Sequence, residues 1–157
     1  QSLPNIDGMV IVTTPQAVAL LDSRKSITFA ESLKVPVLGV VENMSGYTLN
    51  GVTTANSAVE IAGPGGKTVK STSDENGNFS VVLDIFKQGG GKSTAEDFGV
   101  PFLGALPFDP GFVRGGDDGV HKIVSDPEGA SSIAFTKIVE AVQEQISDKA
   151  PSTLEII

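Results

Sequence analysis

Two short apolar runs on either side of a helical stretch constrain this chain most. Residues 8–13 (GMVIVT) and 35–41 (VPVLGVV) are rich in β-branched side chains and lack the polar alternation of a half-exposed strand. The stretch between them, residues 16–33, contains many good helix formers and neither Gly nor Pro. The order strand, helix, strand predicts a βαβ unit with parallel strands and a right-handed connection.

Further helix and strand signals extend this pattern. Thr14 offers an N-cap hydroxyl to the first helix, and Pro15 offers a preset φ at its first position. Residues 100–106 (VPFLGAL) predict a third buried strand, after a short helix that Ser93 and Glu96 would start as a capping box. The fold class predicted is therefore α/β, a parallel sheet flanked by helices.

The last predicted helix has apolar residues at helical spacing, and Asp126-Pro127 marks its expected start. Its apolar face consists of Phe135, Ile138, Val139, Val142 and Ile146. This face is expected to cover the sheet.

The region after residue 47 changes character. Alternating segments at residues 58–62, 67–72 and 79–83 are separated by the turn sequences PGG and DENG. This pattern predicts a small antiparallel β insertion. The domain boundaries predicted are an α/β domain at 1–47 and 84–149, a β-hairpin insertion at 48–83, and a tail at 150–157.

Composition excludes several classes of function. The chain has no Cys, so it supplies neither a disulfide nor a thiolate ligand. A formal charge of -8 argues against a nucleic-acid or anionic-membrane surface. No apolar run approaches the ~20 residues that cross a bilayer, and no signal peptide opens the chain, so we expect a cytoplasmic protein.

Four segments outside the insertion resemble one known family. They are DGMVIVTTPQAVALLDSRKSITF (7–29), VPVLGVVENMSGY (35–47), DIFKQGGGKSTAEDFGVPFLGALPFDP (84–110) and DDG followed by the helix at 134–142. In this order they closely resemble the C-terminal half of the Mrp/ApbC-type ATPases, which are P-loop proteins of the MinD/ParA superfamily. This resemblance implies a partial P-loop NTPase fold.

The resemblance also implies an iron–sulfur cluster carrier that binds ATP at one sheet edge and shares a cluster across a homodimer. The family's glycine-rich phosphate loop belongs to the N-terminal half, which this sequence lacks. The family's Cys-x-x-Cys pair falls where this chain has its β insertion, so no iron–sulfur cluster is expected from this chain. Whether the chain is an ATPase stays open, because it shows no phosphate-binding or catalytic residues.

Three residues are the candidate cofactor-binding site, which would hold the adenine side of ATP. Asn43 follows the second strand, and relatives use the matching Asn to contact the base; the alternative is a residue that caps a loop. Pro107 and Asp109 follow the third strand in LPFDP, a loop that packs against adenine in the superfamily. The alternative for Asp109 is an N-cap of the turn at Pro110.

Other motifs favour structural interpretations. The run GGGKST at residues 89–94 lacks the Walker glycine, because Phe86 stands in its place, and it predicts a turn into a helix. The charged residues Asp22, Arg24 and Lys25 match a stretch that relatives use near the dimer face, and a solvated helix face is the favoured interpretation. The single His, His121, has no nearby ligand partner, and the acidic turn at residues 74–78 departs from a calcium loop. No metal site is predicted.

The sequence thus predicts an ATP-binding protein of this carrier family, without phosphate loop or cluster cysteines and inactive alone. Its expected partners are a second copy or a missing N-terminal half, and an iron–sulfur client protein. The alternative is a non-catalytic binding or scaffold module, recombined or engineered, whose insertion contacts a partner. Both readings leave an unpaired sheet edge and so predict assembly.

Overall fold

The computed structural model describes residues 6–149, and the predicted tail lies outside them. Strand β1 (Met9–Thr13), helix α1 (Ala17–Ser32) and strand β2 (Val37–Glu42) form the βαβ unit. The two strands are parallel, and Thr13 stands opposite Glu42 at their carboxyl ends. The predicted βαβ unit is confirmed.

Residues 47–83, called the antiparallel segment below, contain four strands in a nested arrangement: β3 (Tyr47–Val52), β4 (Ala58–Ala62), β5 (Thr68–Thr72) and β6 (Asn78–Leu83). A 3-10 turn, Pro64–Gly66, closes the hairpin of β4 and β5, as the sequence predicts. The β3 strand was not predicted, and it pairs with β6, the last strand of the segment. Its alternation is weak because Gly51 and Asn50 interrupt the apolar residues.

The chain then forms α2 (Gly90–Phe98), β7 (Phe102–Ala105), α3 (Pro110–Asp118), α4 (Lys122–Ser125) and α5 (Ala130–Lys149). Strand β7 lies parallel to β2 on the side away from β1, so the strand order is β1-β2-β7. The predicted α/β class is therefore confirmed, with two small antiparallel sheets beside the parallel one.

Side chains from opposite faces of the parallel sheet form two separate cores. Neighbouring strand residues point to opposite faces, and Val40 and Val41 accordingly belong to different clusters. One cluster joins the sheet to α1 and α2 through Ile27 and Ala95. The other joins it to α5 through Ile138. The sheet is thus a layer between helices.

Three predicted helix starts are wrong. Helix α1 begins after Gln16 without a side-chain cap, because the Thr14 hydroxyl donates to the Gln16 side chain instead. Helix α2 begins at Gly90, three residues before the Ser93 of the predicted capping box, because another element caps it.

The third wrong start is that of α5, which was predicted at Asp126-Pro127. Asp126 is the C-cap of α4 and accepts a hydrogen bond from the Lys122 amine at 2.6 Å, so α5 begins only at Ala130. The face predicted for α5 is also partly wrong, since Val139 and Ile146 are exposed while Ile138 is buried.

Candidate functional site

The carboxyl ends of β2 and β7 meet at one edge of the sheet, where open α/β sheets bind their ligands. Register brings Glu42 opposite Ala105, so the loops that follow these residues are neighbours. A cavity of about 280 Å³ opens between the two loops. Its lining comprises Asn43, Met44, Leu106, Pro107, Phe108, Asp109, Phe112, Val113 and Phe135. The predicted convergence of Asn43 and Pro107 on one crevice is confirmed.

Asn43 lines the cavity and also caps its own loop, as the alternative interpretation predicts. Its Oδ1 accepts a hydrogen bond from the Met44 amide at 2.9 Å, so it does cap its own loop. Its backbone amide donates to the Thr13 carbonyl at 2.7 Å and fixes the loop to β1. The Nδ2 group makes no hydrogen bond among the described residues, so its two hydrogens have no acceptor there.

Asp109 is the N-cap of α3, as the alternative interpretation predicts. Its Oδ1 accepts from the Gly111 amide at 2.7 Å, and its Oδ2 lies 4.0 Å from the Lys122 amine. Burial raises the pKa of Asp109, but the hydrogen bonds from Gly111 and Ser131 and the charge of Lys122 leave this pKa below its ordinary value. Asp109 is therefore a charged wall of the cavity at neutral pH.

The glycine run enters a helix, and its amides are already occupied. Gly89 is the N-cap of α2 with φ of 86°, a conformation that suits Gly. The Glu42 carboxylate accepts from the Gly91 amide at 2.6 Å and from the Gly89 amide at 3.0 Å. A carboxylate thus fills the place that a phosphate would take at this helix N-terminus.

Glu42 is the residue at this sheet edge that the sequence analysis did not single out. It is 1% exposed and lies at the end of a strand that otherwise reads as wholly apolar. The sequence signal for it was a single acidic residue at the end of an apolar run, immediately before Asn43. Such a residue is expected to be buried, and a buried carboxylate requires hydrogen-bond partners.

The charged residues Asp22, Arg24 and Lys25 of α1 form ion pairs at the protein surface. Asp22 and Lys25 form an exposed ion pair at 3.5 Å, and Arg24 reaches across to Asp97 of α2. These contacts agree with a solvated helix face.

His121 and the acidic turn show no metal-site geometry. His121 is the N-cap residue of α4. The Asp74 carboxylate accepts from the Asn76 and Asn78 amides, both at 2.8 Å, which closes the turn. Within residues 6–149 no cluster of three acidic, His or Cys residues could hold a metal ion, and none of the helices is long and apolar enough to span a bilayer.

Comparisons with known proteins decide the family. The chain matches the ParA family, described as NUBPL iron-transfer P-loop NTPases, over residues 1–77 and 73–143. The chain belongs to this family. The predicted resemblance is thereby confirmed, and the match runs through the antiparallel segment.

Curated relatives in the family are longer proteins. An iron–sulfur cluster carrier protein of Methanocaldococcus jannaschii is 34% identical over 149 residues, which is 95% of this chain and 41% of the relative. The cytosolic Fe-S cluster assembly factor NBP35 of Eremothecium gossypii is 37% identical over 143 residues, which is 91% of this chain and 35% of the relative. The chain thus spans about two fifths of the length of these relatives.

Solved structures agree on the fold. The septum site-determining protein MinD of Pyrococcus horikoshii superposes with a TM-score of 0.57 at 19% identity, covering 92% of this chain and 44% of that one. The cell division ATPase MinD of Pyrococcus furiosus gives a TM-score of 0.54 at 20% identity, over 88% of this chain and 43% of its own. Both share the P-loop NTPase architecture of the family.

Proposed function

We propose that this chain contributes the adenine side of an ATP site to an iron–sulfur cluster carrier. The main observation that supports this proposal is that Asn43 and Pro107 line one cavity at the carboxyl edge of the parallel sheet. Pro107, Phe112 and Phe135 give it stiff apolar walls that suit a flat base, and the Asn43 amide offers donors that suit ring nitrogens. At about 280 Å³ the cavity is near the ~300 Å³ lower bound of ligand pockets, enough for a base.

The phosphate grip would come from sequence outside these residues. The glycine run that could bind phosphate has its amides on Glu42, so it offers no free donors at Gly89 or Gly91. We expect adenosine and ATP to bind this chain with similar affinity, and we expect no ATP hydrolysis by the chain alone.

Calorimetric titration with adenosine and with magnesium ATP tests this proposal. Asn43→Ala should weaken adenosine binding about tenfold, the equivalent of one hydrogen bond of ~1.4 kcal/mol. The control is Asn76→Ala, which changes an exposed side chain in the 74–77 turn and should leave the affinity unchanged. No adenosine binding at millimolar concentration, or equal affinity in Asn43→Ala, would sink the proposal.

The cluster is the cargo of this proposed function. The relatives are named as cluster carriers or assembly factors, whereas this chain contains no Cys to ligate a cluster. We therefore expect anaerobic reconstitution with ferrous iron and sulfide to leave the isolated chain without cluster absorbance near 400 nm. The thiolate ligands would come from other sequence or from a partner, and an iron–sulfur client protein would receive the cluster in the cytosol.

Assembly is part of the same proposal. Strand β1 is an edge of the parallel sheet, and Val12 on it is 61% exposed. A second copy or an N-terminal half would cover this edge. The alternative, a scaffold module unrelated to cluster assembly, is not favoured by the comparisons, because the family match covers the chain from residue 1 to residue 143.

A further inference from the structure

Glu42 is a buried carboxylate that the proposed base site does not use. It forms no ion pair among the described residues, and its charge is met by hydrogen bonds alone. Besides the amides of Gly89 and Gly91, it accepts from the Ser45 hydroxyl at 2.6 Å. Three donors at these distances compensate the loss of water around a charged group.

These donors come from both ends of the antiparallel segment. Ser45 lies two residues before the segment begins, and Gly89 lies six residues after it ends. The Oε1 atom of Glu42 accepts from both of them, so a single oxygen joins residues 45–47 and 84–89, which we call the two stems of the segment. We call this arrangement the Glu42 clasp.

A second contact joins the same two stems to the other wall of the cavity. The Phe108 ring lies 6.0 Å from the Tyr47 ring and 6.4 Å from the Phe86 ring, measured between centroids. The Phe108 amide also donates to the Gly46 carbonyl at 2.7 Å. Phe108 itself lines the cavity, so both cavity walls are tied to the stems.

The clasp also fixes the loop that carries Asn43. Glu42 precedes Asn43 directly, and its hydrogen bond from Ser45 closes a loop around the two intervening residues, Asn43 and Met44. Met44 in this loop has φ of 58°, which a free loop would rarely hold. The bonds at both sides of Met44 hold this conformation in place.

We infer that Glu42 is a positioning residue: its carboxylate sets the orientation of Asn43 in the cavity and couples the cavity to both stems of the antiparallel segment. This inference rests on the proposed base site. Adenosine bound in the cavity should therefore slow hydrogen exchange at the amides of Gly89 and Gly91, which do not line the cavity.

Amide hydrogen exchange, read residue by residue by NMR, tests the clasp. In the wild-type protein, adenosine should slow exchange at the amides of Gly89 and Gly91 as well as in the Asn43 loop. Glu42→Gln replaces one acceptor oxygen by a donor, so these two amides should exchange at least tenfold faster and adenosine affinity should fall at least fivefold.

Two further variants separate positioning from general destabilisation. Ile27→Val weakens the core on the α1 face and should lower the melting temperature. It should nevertheless keep wild-type adenosine affinity and wild-type exchange at Gly89 and Gly91. Ser45→Ala removes one clasp bond without entering the core, and it should lower adenosine affinity two- to fivefold even if Glu42→Gln does not fold.

The outcomes distinguish the clasp from the base site. Wild-type affinity in folded Glu42→Gln or in Ser45→Ala, or an equal loss in Ile27→Val, would overturn the inference. If the wild-type protein binds no adenosine, the base site fails and the positioning role fails with it. Exchange at Gly89 and Gly91 in the ligand-free variants would then still decide whether the clasp exists as a structural contact.

Discussion

Asp109 connects three parts of the molecule at the scale of single residues. It caps α3 through the Gly111 amide, faces the Lys122 amine, and lines the candidate cavity. Lys122 in turn donates to Asp126 at 2.6 Å, and this hydrogen bond raises the pKa of Lys122. The charge at the cavity wall is therefore held in place by neighbouring elements, independently of any ligand.

This arrangement predicts a pH-dependent contribution to stability. Asp109→Ala should lower the free energy of unfolding by about 1 kcal/mol near neutral pH, because α3 loses its N-cap. Asp109→Asn keeps a capping oxygen and should lose less. The pKa of Asp109 is lower in the folded chain, so its charge stabilises the fold above about pH 4, and this contribution is lost as pH falls through the folded-state pKa.

Urea unfolding near neutral pH and near pH 3 measures these differences. Asp117→Ala, an exposed carboxylate on the same helix, is the control and should change little. A deficit of Asp109→Asn that stays the same at both pH values would contradict the assigned charge effect.

Helix α2 shows how one element depends on another. It begins with two glycines and has no side-chain cap from its own N-cap residue, so the cap comes from β2 through Glu42. This cap leaves no room for a side chain at position 91, because a Cβ on Gly91 would lie 2.9 Å from Glu42 Cβ. Gly91 is thus required by the approach of the strand side chain.

Gly91→Ala should consequently destabilise the protein by about 1 to 3 kcal/mol, since the added methyl displaces the capping carboxylate. Gly116→Ala is the matched control: Gly116 is also helical, lies in α3, and a Cβ there meets nothing within 4 Å. It should leave stability unchanged or raise it by about 0.5 to 1 kcal/mol. Thermal unfolding of both variants checks this, and equal effects would refute the crowding argument.

At the scale of the whole molecule, the parallel sheet is incompletely covered. Helix α5 packs on β7 and β2, and it leaves the outer part of β1 open at Val12. A parallel sheet normally has both faces covered, and an open edge strand is a template for pairing. The chain also spans about two fifths of the length of its curated relatives.

We expect the isolated chain to self-associate through this edge. Val12→Lys places a charge on the exposed strand and should weaken association at least tenfold. Val52→Lys changes a similarly exposed valine on β3 and should have little effect. Sedimentation velocity over a concentration series measures both, and equal association of the two variants would exclude β1 as the contact.

The sequence by itself determined the βαβ unit, the third strand and the hairpin turn at Pro64–Gly66, because these depend on local periodicity and turn chemistry. It also placed Asn43 and Pro107 at strand ends. The two residues lie close together because their strands are parallel neighbours. Only the tertiary structure decided that β3 pairs with β6, that Glu42 caps α2, and that Phe108 contacts both stems. Each of these contacts joins residues far apart in the chain, and their energies are decided by which surfaces the folded chain brings together.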